Sequence, residues 1–166
     1  VQGANNDEEK VMRIFIWTHN NIRKAPKELP IVDDHVWHII VRGYGVHDQF
    51  QDVFTALCNI AGIDAFFSGV YTEDRSGVII LSFVKIQERW YAFDAYRGVY
   101  FKDKQGRLAD IGPKNEWLIA TLGGQPDINY TPYLKNLPTI KDIGLNRSST
   151  QSPFNRLLFE IKKKLR

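Results

Sequence analysis

The chain has one cysteine, Cys58, and one methionine among 166 residues. A single thiol excludes an intramolecular disulfide and leaves no second cysteine for a thiolate-ligated metal site. Long apolar runs are missing too. The longest, Val78-Ile79-Ile80-Leu81 continued past Ser82 by Phe83-Val84, is strand-sized, far short of the 18–20 or so residues that span a bilayer as a helix. A large excess of charge of one sign is also lacking. The net charge is +3, and much of it lies in the tail Lys162-Lys163-Lys164 and Arg166. A basic tail is not a basic face, so composition argues against nucleic acid as a partner. The chain opens on Val1 without a signal-peptide pattern, which reads as a piece of a larger protein. What is present is ordinary for a globular protein, 43% apolar with a rich 13% aromatic share, and the length suits a single domain.

Hydrophobic spacing divides the chain. Val11, Ile14, Phe15, Thr18 and Ile22 share one helical face. Asp7, Glu8 and Glu9 favour that helix's N-terminus, and Asn20-Asn21 and Ala25-Pro26 mark its end. Residues 32–41 fit a short helix or an extended pass. Phe50, Val53, Phe54, Leu57, Cys58 and Ala61 form a wide apolar stripe closed by Gly62. Residues 65–71, 78–86 and 90–94 read as strands. Residues 99–101 and 107–109 flank a turn like a small hairpin. Pro113 to Leu122 predicts a helix with proline in its first turn. Residues 123–151 are turn-rich and predict a surface wrap. Residues 153–165 predict an amphipathic helix carrying Phe154, Leu157, Leu158, Ile161 and Leu165. Helices followed by sequence-adjacent strands indicate an α+β fold with an antiparallel sheet.

Several residues could carry chemistry. His35 and His38, spaced by two residues beside Asp33 and Asp34, could bring two imidazoles to one helical face as metal ligands. The spacing arises readily by chance, and Trp37 and Ile39 around it fit packing positions, so no metal or other cofactor is expected. His19 reads as a solvated or helix-terminal residue. Trp17 and Trp90 read as core. Tyr44, Tyr96 and Tyr100 could line a groove. Asp48 suits the first turn of a helix, and Cys58 falls inside the apolar stripe, where a thiol packs as a small hydrophobe.

Four features in fixed order point further: Trp17 with Asn20-Asn21-Ile22, Gly45-x-His47-Asp48, Ala61-Gly62-Ile63, and Trp90-x-x-x-Asp94. Over about residues 7–110 the layout resembles the transglutaminase-like, papain-related superfamily. The resemblance implies a central helix packed on an antiparallel sheet. It also implies a cysteine at the helix start, a histidine on a following strand and an aspartate on the next. In this sequence those positions read His47, Ile79 or an immediate neighbour (Ile80, Val78), and Asp94. Cys58 lies eleven residues beyond His47, about 16 Å along a helix axis, too far to replace the missing thiol.

The implied reading is a catalytically inactive binding module of a larger bacterial protein. Its cleft would take a peptide, a glycan-linked peptide or a protein partner, with His47, Asp48, Gln49, Tyr44 and Asp94 as contact candidates. A cell-envelope or extracytoplasmic setting is implied only by where such domains commonly occur. Two alternatives stand beside it. One is a hydrolase or transferase of altered mechanism using His47 with Asp48 or Asp94, metal-assisted or not. The other is a purely structural domain.

Overall fold

A computed structural model of the protein describes residues 3–29, 35–110, 116–135 and 137. Helix α1 spans Asp7–Asn21. Asn6 caps it, its side chain accepting from the Glu9 amide at 2.8 Å, and acidic residues fill the first turn. Val11, Ile14, Phe15 and Thr18 form its buried face. The ambiguous residues 32–41 resolve in part as a short helix, α2 (Val36–Arg42), which stops at Gly43 with φ 72°, a conformation that favours glycine.

Helix α3 covers His47–Ile60. Its preceding residue, Val46, has no polar side chain to cap it, so Gln49 reaches back and its Oε1 accepts the Val46 amide at 3.1 Å. Ala61 and Gly62, the latter at φ 80°, turn the chain out of the helix. Two short strands, β1 (Arg23–Lys24) and β2 (Tyr44–Gly45), pair in parallel and hold the α1 exit beside the α3 entrance.

The main sheet has five strands in sequential order, all neighbours antiparallel. They are β3 (Ala65–Tyr71), β4 (Val78–Ile86), β5 (Arg89–Asp94), β6 (Val99–Lys102) and β7 (Leu118–Thr121). Alternation of side chains divides β4 between the two faces. Val84 and Ile86 pack with Phe15, Phe50, Val53, Phe54 and Phe93 beneath the helices. Ile79, Leu81 and Phe83 join Phe66, Val70, Val99, Phe101 and Tyr130 on the opposite face. Each large side chain buried this way contributes roughly 1.5–3 kcal/mol of transfer free energy. Helix α4 (Thr131–Leu134) closes the opposite face with Leu134. Among the described residues, no helix is long and apolar enough to cross a membrane.

Several expectations need correction. Residues 118–121 are a strand, not part of a helix. Ile119 and Ala120 oppose Phe101 and Tyr100 in ladder register, and that pairing outweighs the helical hint from Pro113, which lies outside the described residues. The small hairpin does form, with Leu108 bridging to Lys102, but β6 takes β7 as its ladder partner. The stretch after Gly123 does not simply wrap the surface, because Tyr130 is fully buried. Trp17 is 40% exposed rather than core. Thr18 takes the inward place on α1 instead. The amphipathic segment 153–165 lies outside the described residues.

Candidate functional site

The start of α3, the end of β5 and the turn that follows it meet at one point. His47 occupies the first position of α3 and Asp94 the last of β5. His47 Nε2 lies 3.3 Å from Asp94 Oδ1. The expected proximity of these residues, separated by most of the sheet in sequence, is therefore present.

Asp94 is completely buried, and its surroundings explain how a carboxylate is tolerated there. Oδ1 accepts from Gln51 Nε2 at 3.0 Å and from the Arg97 amide at 3.1 Å. Oδ2 accepts from Tyr130 Oη at 2.8 Å and from Arg97 Nη1 at 3.2 Å. A carboxylate offers about four lone-pair directions, and these donors together with His47, the longest contact of the set, saturate it. Burial pushes the Asp94 carboxyl upward, but the hydrogen bond and charge of His47, then Tyr130 and Arg97, outweigh it and hold the pKa below the usual range. Tyr130 responds in the opposite direction. Burial first, then the adjacent Asp94 charge, pushes its phenol far up, so it stays a protonated donor.

Gln51 connects this carboxylate to the sheet. Its Oε1 accepts from Ser82 Oγ at 2.7 Å and from the Ala95 amide at 3.2 Å. Gln51 and Ser82 are both fully buried. Arg97 lies between interior and surface. Its Nη1 is 3.3 Å from His47 Nε2, and its Nε donates to Asp127 Oδ1 at 2.7 Å. Tyr96 packs beside His47, with ring centroids 4.9 Å apart, and edge-on against Phe50. On the far side of the turn, Gly98 at φ 66° lies against the His19 ring, and His19 Nδ1 is 3.1 Å from the Ala95 carbonyl oxygen.

The remaining sequence candidates separate from this cluster. Ile79 is buried in the cluster on the opposite sheet face from α3. Its neighbour Ile80 shares a face with Ser82 by strand alternation, so Ile80 is the β4 position directed toward the α3 side. Gln49 is buried and serves the helix start, accepting from Val46 and from Arg42 Nη2 at 3.2 Å. Asp48 is exposed and accepts the Gln49 amide. Tyr44 lies under the Arg42 guanidinium, 4.7 Å from ring centroid to Cζ. His35 caps α2, its Nδ1 accepting the Trp37 amide at 3.3 Å, with the His38 ring 6.3 Å away. Asp33 and Asp34 lie outside the described residues. Among the described residues no group of three or more His, Cys, Asp or Glu side chains is placed to hold a metal. Cys58 is fully buried, and burial alone pushes its thiol pKa far upward.

Gln51, Ser82, Arg97, Asp127 and Tyr130 were not foreseen. Gln51 had a usable signal, an amide inside an apolar helical stripe one turn after His47. Tyr130 had none, because nothing in residues 123–135 announces a return to the sheet.

Residues 1–118 match the family described as the transglutaminase-like superfamily. The chain belongs to that superfamily. The transglutaminase-like core thus contains α1 to β6 and ends at the first residue of β7. No curated protein matches the chain. Among solved structures, a candidate cysteine protease from Cytophaga hutchinsonii is similar at 20% identity and a TM-score of 0.49, covering 80% of this chain and 50% of that one. A candidate protease from Parabacteroides distasonis is similar at 18% identity and a TM-score of 0.47, covering 55% of this chain and 20% of that one. The chain thus spans half or less of the length of these two proteins.

Proposed function

We propose that this transglutaminase-like domain is catalytically inactive and acts as a binding module, taking an extended peptide, a glycan-linked peptide or a partner segment within a larger protein. The observation that carries this reading is the setting of His47. Where the family resemblance expects a thiol, an imidazole lies with its Nε2 within 3.3 Å of both a carboxylate and a guanidinium. A thiolate at a helix start is a nucleophile because the helix lowers its pKa. An imidazole against Arg97 has no equivalent acyl-transfer role.

Other nucleophiles near the site are unsuited. The Ser82 hydroxyl is buried and donates to Gln51, the Tyr130 phenol is held protonated, and Cys58 is enclosed in the core. A binding role is supported by the groups that remain accessible at the same place, the partly exposed Tyr96, His47 and Arg97.

Assays of amide hydrolysis and transfer on the full chain test the reading, run with and without alkylation of the thiol. We expect no turnover, and we expect peptides to perturb the NMR signals of His47, Tyr96 and Arg97. Turnover that alkylation of the folded protein abolishes would overturn it. A second reading, an enzyme of altered mechanism, rests on the His47–Asp94 contact, since an imidazole–carboxylate pair is half of an acid–base system. Turnover that persists after alkylation and disappears in His47→Gln would favour it.

A further inference from the structure

One acidic side chain of the protein already lies on the surface of this site. Asp127, between β7 and α4, accepts from Arg97 Nε at 2.7 Å. Its side chain is 72% exposed, whereas that of Arg97 is only 16% exposed. Arg97 divides its donors accordingly. Nη1 faces inward to Asp94 and His47, and Nε faces the surface carboxylate.

A second cation arrives from the other end of the chain. Lys24 on β1 places Nζ 4.5 Å from the Tyr96 ring centroid, and the Arg97 Cζ lies 5.6 Å from the same ring. The His47 ring packs on it as well. Lysine, arginine and histidine from distant parts of the sequence therefore surround one aromatic ring. The hydrogen bond from Arg97 leads the causes that lower the Asp127 pKa, followed by the charges of Arg97 and, more weakly, Lys24.

This arrangement has the chemistry of a carboxylate receptor. A partly desolvated guanidinium is well suited to carboxylates, and a partner as exposed as Asp127 holds on weakly and exchanges with solvent. We propose that Asp127 is an internal stand-in for a ligand carboxylate. The surface formed by Arg97, Lys24, His47 and Tyr96 takes an acidic peptide through a C-terminal or side-chain carboxylate, which displaces Asp127 from Arg97. The inference rests on the binding-module reading and narrows it to acidic ligands.

The test is a calorimetric titration of the full chain and of its Asp127→Asn and Lys24→Gln variants. The probes are acetyl-Ala-Ala-Ala as the free acid, the same peptide as its amide, and acetyl-Ala-Glu-Ala amide. At least one carboxylate-bearing peptide should bind about tenfold or more tighter than the uncharged amide, and the two acids separate a C-terminal from a side-chain preference. Asp127→Asn should tighten the preferred acid about three- to tenfold by removing the internal competitor. Lys24→Gln, at an exposed position, should weaken it about threefold, and added salt should weaken it further. Equal binding of acids and amide would overturn the carboxylate inference while leaving the binding module intact. So would an Asp127→Asn affinity that fails to rise. No binding of any probe to either the parent chain or Asp127→Asn would overturn both.

Discussion

Gln51 Nε2 donates to Asp94 Oδ1 at 3.0 Å while its Oε1 accepts from Ser82 and from the Ala95 amide. One buried amide thereby bonds to β4, to the end of β5 and to the turn beyond it. Gln51→Leu preserves bulk but removes one donor from Asp94 Oδ1, which keeps the Arg97 amide, and takes the acceptor from the Ser82 hydroxyl and the Ala95 N–H. Each buried unpaired group is costly, and the members of such a network are coupled. The expected loss is about 2–4 kcal/mol in urea denaturation, and an unchanged midpoint would show that the network is dispensable.

Tyr130→Phe removes a single hydroxyl, the donor to Asp94 Oδ2. A hydrogen bond to a charged acceptor contributes about 1.5–3 kcal/mol. The variant should lose that much stability while retaining its far-UV circular dichroism. A loss no greater than that of an exposed Tyr71→Phe control would refute a bracing role.

The Asp94 carboxyl titrates below the usual range in the folded state, against about 3.9 for an unfolded chain. The unfolded state therefore binds the proton first as pH falls. Asp94 contributes its full stabilisation above about pH 4 and loses it as pH drops through the lower folded value. His47→Gln removes the leading cause of that lowering, so its acid-unfolding midpoint should lie at higher pH than that of the parent chain. Coincident acid transitions would contradict this.

Cys58 should ignore thiol reagents until the protein unfolds, because its side chain is enclosed and its thiolate is disfavoured by burial. The rate of labelling by a disulfide reagent should follow urea-induced unfolding. Cys58→Ala should cost about 1–2 kcal/mol through lost packing. Rapid labelling of the native chain would mean that the apolar stripe of α3 opens.

Gly98→Ala tests the turn beneath the site. A Cβ there would lie 2.8 Å from the His19 ring, at a backbone φ of +66°. Strain of this kind costs about 1–3 kcal/mol. The readout is thermal denaturation, together with loss of the His19 contact in NMR spectra.

Much of this was legible because period and punctuation agreed. The stripe from Phe50 to Ala61 with Gly62 behind it gave α3, and the adjacent β-rich runs gave an antiparallel sheet. The resemblance to the transglutaminase-like superfamily implied that His47 and Asp94 lie together. Other features were hidden for physical reasons. Proline at 113 reads as a helix start, but the ladder from β6 decides residues 118–121. Trp17 is large and apolar, yet the inward face of α1 passes through Ile14, Phe15 and Thr18. The choice between Ile79 and Ile80 depends on a one-residue strand register that sequence spacing cannot resolve. Arg97, Asp127 and Tyr130 converge only through tertiary structure, since isolated polar residues in turns carry no periodic signal.

The Tyr130–Asp94 bond also bears on where this domain can be cut. The stretch that matches the superfamily stops at residue 118, but Tyr130 lies beyond that point and its bond returns to Asp94 inside the matched region. A polypeptide trimmed to the match would lose most of β7, the Asp127 loop and the phenol that helps keep Asp94 charged. It would also expose the face of the sheet around Val70, Leu81 and Phe101. Fusions or excisions should therefore keep the residues through Leu134, which pack on the sheet, and be planned around that joint rather than around the end of the family match.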